Sequence, residues 1–323
     1  MIESAQPYLE AKRTLDDRAL NRRVLEQFAT ALSARGEPVR IVELGAGVGT
    51  MIARLADWSL LPDRVSYRAV DRDAASIERA RELVPAHLES TGYDVEWLES
   101  PAGATVEGGG GDDVPKSTTL VARPADEPAS DSNQRLEITL EVADALDIDD
   151  RADAVIAAAL LDIVDLENAI PALEGLLVDG GVCYAPITFN GGTTFAPRDR
   201  LDERIERQYH RHMDEIRDGG RSRAGSALLA TLSRSDWDVL ASGGSDWVVV
   251  PADGGYSSDE KRVVVHVLET IDEALADVAS DALEADERTR WLERRRRELE
   301  AGDLVFVAHN LDVLARIKET QTP

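Results

Sequence analysis

The chain has 323 residues, enough to bury a full core, and 62 Asp and Glu against 36 Lys and Arg give it a formal charge of −26 and a pI near 4.5. So acidic a surface argues against bare nucleic acid as a partner, because gripping phosphates needs a basic face. No apolar run is long enough to span a bilayer, residues 1–7 lack the basic end and apolar stretch of a secretory signal, and the lone Cys183 can form no internal disulfide. A cytoplasmic protein without membrane attachment is expected.

Residues 8–35 carry Leu15, Leu20, Val24, Leu25, Phe28 and Leu32 at helical spacing, which predicts a helical N-terminal extension over 1–38 closed by Gly36 and Pro38. Its charged part is read as a solvated face, with Lys12, Arg13 or Asn21 folding over a ligand mouth to hold a carboxylate as the functional alternative. Residues 41–44 then form a buried strand that runs into Gly45-Ala46-Gly47-Val48-Gly49, and a helix starts at Thr50. Glycines let a ligand approach the main chain closely, and the unpaired amides and positive end of the following helix face the turn. The spacing is G-x-G-x-G, with Thr50 where the dinucleotide fingerprint wants its third glycine. Glu43, two residues before the first glycine, would repel a pyrophosphate but suits an ammonium or sulfonium.

The pattern Glu43-x-Gly45-x-Gly47-x-Gly49 resembles motif I of the class I S-adenosylmethionine-dependent methyltransferases. The resemblance implies an α/β, Rossmann-like fold with a seven-stranded sheet, S-adenosyl-L-methionine as cofactor, and Glu43, Gly45, Ala46, Gly47 and Gly49 around it. Residues 65–70 read as the second strand and end at Asp71-Arg72, 26 residues after Gly45, near the distance at which an acid takes ribose hydroxyls. A helix over 74–84 follows. Residues 99–135, rich in Gly, Pro, Ser and Asp, read as a mobile insertion with no catalytic role.

Residues 136–142 alternate as a strand leading to Asp144-Ala145, where the resemblance implies an acid on the adenine amino group and an amide on a ring nitrogen. A fourth, apolar strand spans 153–161 and includes Leu160, the last residue expected at the cofactor. A helix over 167–177, the turn Asp179-Gly180-Gly181 and a fifth strand over 182–188 complete the core at 39–198. No Asp/Asn-Pro-Pro-Tyr/Phe follows the fourth strand and no Pro-Cys pair occurs, which argues against amino-methylation of bases and attack on cytosine C5 through a thiolate. Asp162, Asp165 and Asn190 are the weak metal option, and no metal is expected.

Residues 199–233 read as a helical substrate cover in which Tyr209, His210, His212 and Met213 crowd together; His210 is the expected proton acceptor or orienting residue. Residues 234–323 finish the sheet with strands over 239–241 and 246–250, a long charged helix over 268–301, and a last strand over 304–308. The run from Arg294 to Arg297 is read as ion pairing along a helix face. Methyl transfer to a small-molecule N or O acceptor is the expected function, by a nucleophile positioned in a dry site. The alternatives are a sensor or assembly protein that binds the donor without transfer, and a NAD(P)-dependent oxidoreductase. With four lysines against 32 arginines, the composition resembles that of extreme halophiles, whose acidic surfaces are screened by salt.

Overall fold

The apolar strand β1 (Val39–Leu44) pairs in parallel with β2 (Arg64–Asp71) on one side and β6 (Ala152–Ile156) on the other, and only Arg40 of its six residues is exposed. Strands buried on both faces need helices above and below, and the chain supplies one after each. They are α4 (Thr50–Asp57) after β1, α5 (Ala74–Ser90) after β2 and α6 (Leu166–Leu176) after β6. The computed structural model describes residues 5–98, 116–126, 133–253, 255–257, 259–278 and 284–319.

The sheet continues with β3 (Tyr93–Trp97), β4 (Ser117–Pro124), β5 (Arg135–Val142), β7 (Leu177–Ala196), β8 (Trp237–Gly244) and β10 (Val305–Ile317) in the order β3-β4-β5-β2-β1-β6-β7-β10-β8. The short β9 (Trp247–Val249) pairs with β10 off this path. From β5 to β7 all pairings are parallel, and β10 enters antiparallel between β7 and β8. The seven strands from β5 to β8 form the Rossmann-like sheet expected from the sequence, and β3 and β4 extend its edge.

Several elements differ from their sequence reading. Strand β4 lies inside the stretch expected to be an insertion without structure, because Leu120, Val121 and Ala122 are an apolar run that pairs antiparallel with both β3 and β5. Residues 99–115 and 127–132 of that stretch lie outside the described residues. The N-terminal helix is three helices, α1 (Ala5–Ala11), α2 (Arg13–Ala19) and α3 (Arg22–Ser33), and Asn21 caps the third through Oδ1 on the Val24 amide at 3.3 Å. The stretch over 268–301 holds parts of two helices, α9 (Glu260–Asp277) and α10 (Ala285–Ala301). β7 and β10 far outrun the short apolar cores that marked them, because their polar residues pair across the ladder, with irregularities between Ala308 and Asn310 and between Leu311 and Val313.

The expected cover is α7 (Asp202–Arg211), a π-helical turn at His212–Ile216 and α8 (Ala224–Leu232). Two of the four arginines of the 294–297 run leave their own helix face and reach this cover. Arg295, fully buried, grips Asp202 through both carboxylate oxygens at 2.5 and 2.7 Å, and Arg294 pairs with Asp199. A buried forked ion pair that also takes the Pro197 carbonyl, at 2.7 Å, sets where α7 sits over the sheet.

Candidate functional site

At the carboxyl edge of the parallel sheet, three neighbouring strands each deliver an acid. Glu43 comes from β1, Asp71 ends β2, and Asp144 follows β5. The Glu43 carboxyl is buried and accepts the Tyr67 hydroxyl at 2.7 Å. Burial pushes its pKa up to about 7, against the Tyr67 hydrogen bond and the charge of Arg54, which favour the anion. Half-buried Asp71 ties the glycine turn, accepting the Gly47 amide on Oδ2 at 2.8 Å and the Asp73 amide on Oδ1 at 2.9 Å. Asp144 is exposed and holds its own turn through the Leu146 amide at 3.0 Å.

These acids surround a cavity of about 290 Å³. Glu43, Gly45, Ala46, Gly47, Asp71, Arg72, Asp144, Ala145 and Leu160 all line it, as do Leu9 and Lys12 from the N-terminal helices. Gly45 and Gly47 have φ of +68° and +54°, and a Cβ on them would come within 3.0 Å of Leu160 Cδ1 and 3.3 Å of Leu9 Cδ1. Gly49 was expected at the cofactor and does not line this cavity: with φ +78°, its missing Cβ would stand 2.4 Å from Val84 Cγ2, so it lets α4 pack on α5.

Of the three residues expected to reach over the mouth, only Lys12 does. Its ammonium lies 3.1 Å from Asp16 Oδ2, and Asp16 Oδ1 accepts the Trp247 indole N–H at 2.9 Å. Arg13 turns away to His87 at 3.2 Å, and Asn21 is occupied by its cap and by the Gly244 carbonyl at 3.0 Å.

A second chamber of about 310 Å³ adjoins the first, and Leu9, Lys12, Ala159, Ile163 and Ile187 line both. Tyr8, Phe189, Tyr209, Trp247 and Phe306 supply aromatic walls, and Asp162, Arg217 and His266 bring charge and polarity. Tyr8 stacks on His266 with ring centroids 3.9 Å apart. Burial lowers the His266 pKa below the usual imidazole value, and burial pushes the Tyr209 phenol up to about 12.

Two junction residues hold backbone that L-residues seldom adopt: Ala159 has φ +49° and Ile187, β-branched, has φ +53°. Such strain costs about 1–3 kcal/mol per residue and persists where surroundings impose it. At Ile187 buried Asp312 imposes it, accepting the Ile187 amide on Oδ1 at 2.8 Å and the Asn21 amide on Oδ2 at 2.8 Å. Nothing local in the sequence signals this role for Asp312.

His210 does not line the second chamber. It lies on the side of α7 facing an open groove with Arg207, Arg211 and Asp214, while its neighbour Tyr209 faces the chamber, since successive helical residues point about 100° apart. It meets the chamber wall from behind, through an edge contact with Phe189 at 5.9 Å between centroids and a tilted one with Tyr209 at 6.2 Å. Asp165 and Asn190, of the weak metal option, are taken up by helix ends: Asp165 accepts the Glu167 amide and Asn190 the Ser226 amide.

No family model matches the chain, and no curated protein does. Among solved structures, an S-adenosylmethionine-dependent methyltransferase from Geobacter sulfurreducens, in complex with S-adenosyl-L-homocysteine, is 15% identical with a TM-score of 0.44, covering 93% of each chain. One from Thiobacillus denitrificans, also with S-adenosyl-L-homocysteine, is 12% identical with a TM-score of 0.40, covering 91% of this chain and 92% of its own. The [4+2]-cyclase SpnF is 14% identical with a TM-score of 0.40, covering 92% and 81%. At such identities and scores, function has to rest on this chain's own residues.

Proposed function

We propose that the chain is a methyltransferase that takes its methyl group from S-adenosyl-L-methionine and passes it to a small-molecule N or O acceptor. One observation carries the reading: three neighbouring parallel strands set Glu43, Asp71 and Asp144 in a row around a cavity whose glycine floor has no side chains to fill it. The donor's chemistry asks for that order of groups. Buried Glu43 suits its cationic methionine end, Asp71 with lone pairs to spare suits ribose hydroxyls, and Asp144 with the Ala145 amide suits an adenine edge. Lys12 at the rim suits a carboxylate.

When bound, the donor supplies an electrophilic methyl group on a sulfonium whose bonding pair leaves with sulfur. This chain's residues would orient an acceptor in the second chamber and keep water out, which for a displacement at a methyl carbon is most of the catalytic task. Calorimetric titration with S-adenosyl-L-methionine, S-adenosyl-L-homocysteine and NADH tests the cavity assignment; retention of NADH alone would overturn it. Release of S-adenosylhomocysteine on incubation with cell extract then tests transfer against binding alone.

A further inference from the structure

Asp162 follows the strained turn after β6 and projects into the second chamber. Its Oδ1 is enclosed and has no hydrogen-bond partner among the described residues. Neither nearby cation answers it: the Arg217 guanidinium bonds the Asp162 backbone carbonyl at 3.4 Å, and Lys12 stands 3.1 Å from Asp16. An enclosed carboxylate oxygen without a partner is costly, so it marks a place where a ligand donor belongs. The rest of the wall narrows the class. Tyr8, Phe189, Tyr209, Trp247 and Phe306 present ring faces and edges, and Met213 adds a buried thioether. Aromatic faces beside one carboxylate favour a cation with an apolar body, and the same carboxylate repels an anionic acceptor.

We infer that the second chamber binds an apolar primary or secondary amine, with Asp162 holding the ammonium and taking its proton. This deepens the methyl-transfer reading and rests on it. An ammonium has no free lone pair, so one N–H proton must leave first, and Asp162 Oδ1 is the acceptor. The freed pair forms the N–C bond as the C–S pair goes to sulfur, and the product leaves as the methylated ammonium. Burial raises the Asp162 pKa, against backbone amides and the charges of Arg217 and Lys12, which favour the anion. The chamber adjoins the glycine-floored cavity across Ala159, Ile163 and Ile187, which brings such a nitrogen to the donor's side.

The test is calorimetric titration of the full chain, alone and saturated with S-adenosyl-L-homocysteine, with 2-phenylethylamine, n-alkylamines from butyl to octyl, 2-phenylethanol and 3-phenylpropionate. Amines should bind at least about tenfold tighter than the matched alcohol and acid. Asp162→Asn, checked for an unchanged melting temperature and unchanged S-adenosyl-L-homocysteine affinity, should lose roughly ten- to a hundredfold in amine affinity. Asp162→Glu, which keeps the charge, covers the case in which the Asn variant misfolds and should retain amine preference. Alcohol binding as tight as amine binding, failure of every amine in the panel, or amine affinity untouched in a folded Asp162→Asn would overturn the inference. Failure of S-adenosyl-L-homocysteine to bind would instead strike the methyl-transfer reading, and the titrations without it would still judge the chamber.

Discussion

Glu43 gives the sharpest test of the donor cavity, because its burial and its proposed partner pull its proton in opposite directions. Its pKa stands at about 7, driven up by burial, so near neutral pH it is only part ionised. A cationic ligand requires the anion. With that pKa, roughly 90% of the group is ionised at pH 8, about 10% at pH 6 and about 1% at pH 5. Donor affinity should therefore fall close to tenfold per pH unit below 7, on the order of a hundredfold between pH 8 and pH 5. Calorimetry in two buffers of different ionisation enthalpy would also show proton release on binding below pH 7.

Glu43→Gln keeps an acceptor for the Tyr67 hydroxyl and removes the charge. It should bind the donor weakly with a flat pH profile over this range. The fold should respond in the opposite sense. A carboxyl whose folded pKa is raised from 4.5 to about 7 contributes stability that is present below pH 4.5 and lost as pH rises through 7. Glu43→Gln should then melt higher than the parent above pH 7, by an amount of the order of 3 kcal/mol in stability. Donor affinity independent of pH between 5 and 8 in the parent protein would refute the placing of a cation beside Glu43.

Asp71→Ala should weaken donor binding by on the order of a hundredfold by calorimetry, since each hydrogen bond to a charged acceptor is worth roughly 1.5–3 kcal/mol; Asp71→Asn, which still accepts the Gly47 amide, should lose less but still lose, and full donor affinity in Asp71→Asn would mean that the turn rather than the ribose is what Asp71 serves. Gly49→Ala should cost about 2–4 kcal/mol in chemical denaturation, because it combines a left-handed backbone with a 2.4 Å approach to Val84, and a neutral result would contradict the packing role given to that glycine. The charge of −26 predicts a melting temperature that climbs with potassium chloride from about 0.1 M, where the screening length is near 10 Å, to molar salt, where it is near 3 Å; a flat curve would count against a salt-adapted surface.

What was legible in the sequence is what short range dictates. A strand ending in an acid and three spaced glycines determines its own turn, and the row of apolar strands with helices between them specifies a parallel sheet almost regardless of detail. The cavity floor could be read from Glu43 to Gly47 for that reason. The second chamber could not, because Tyr8 of α1, Asp162 after β6, Tyr209 of α7 and His266 of α9 meet only through tertiary packing. A cluster in sequence drew attention to His210, yet residues side by side in a helix diverge, and the chamber took Tyr209 instead. β4 escaped for a related reason: three apolar residues were averaged into a long polar stretch, although the pairing of β3 and β5 on its two sides is what orders them.

The junction of the two cavities shows the limit most clearly. Isoleucine in a strand is normally a residue at ease with extended backbone, so nothing in Pro186-Ile187-Thr188 announces a left-handed turn. The turn exists because Asp312, 125 residues away on β10, accepts the Ile187 amide from a buried position, and because the same carboxylate ties the Asn21 amide where α3 begins. One acid thus joins the N-terminal helices, the middle of β7 and the last strand at the wall shared by both cavities. Strain concentrated where a donor and an acceptor would meet, and held by a buried carboxylate rather than by local preference, fits a site built to position two ligands against each other: conformations that local propensity would relax are kept only where the whole fold over-determines them.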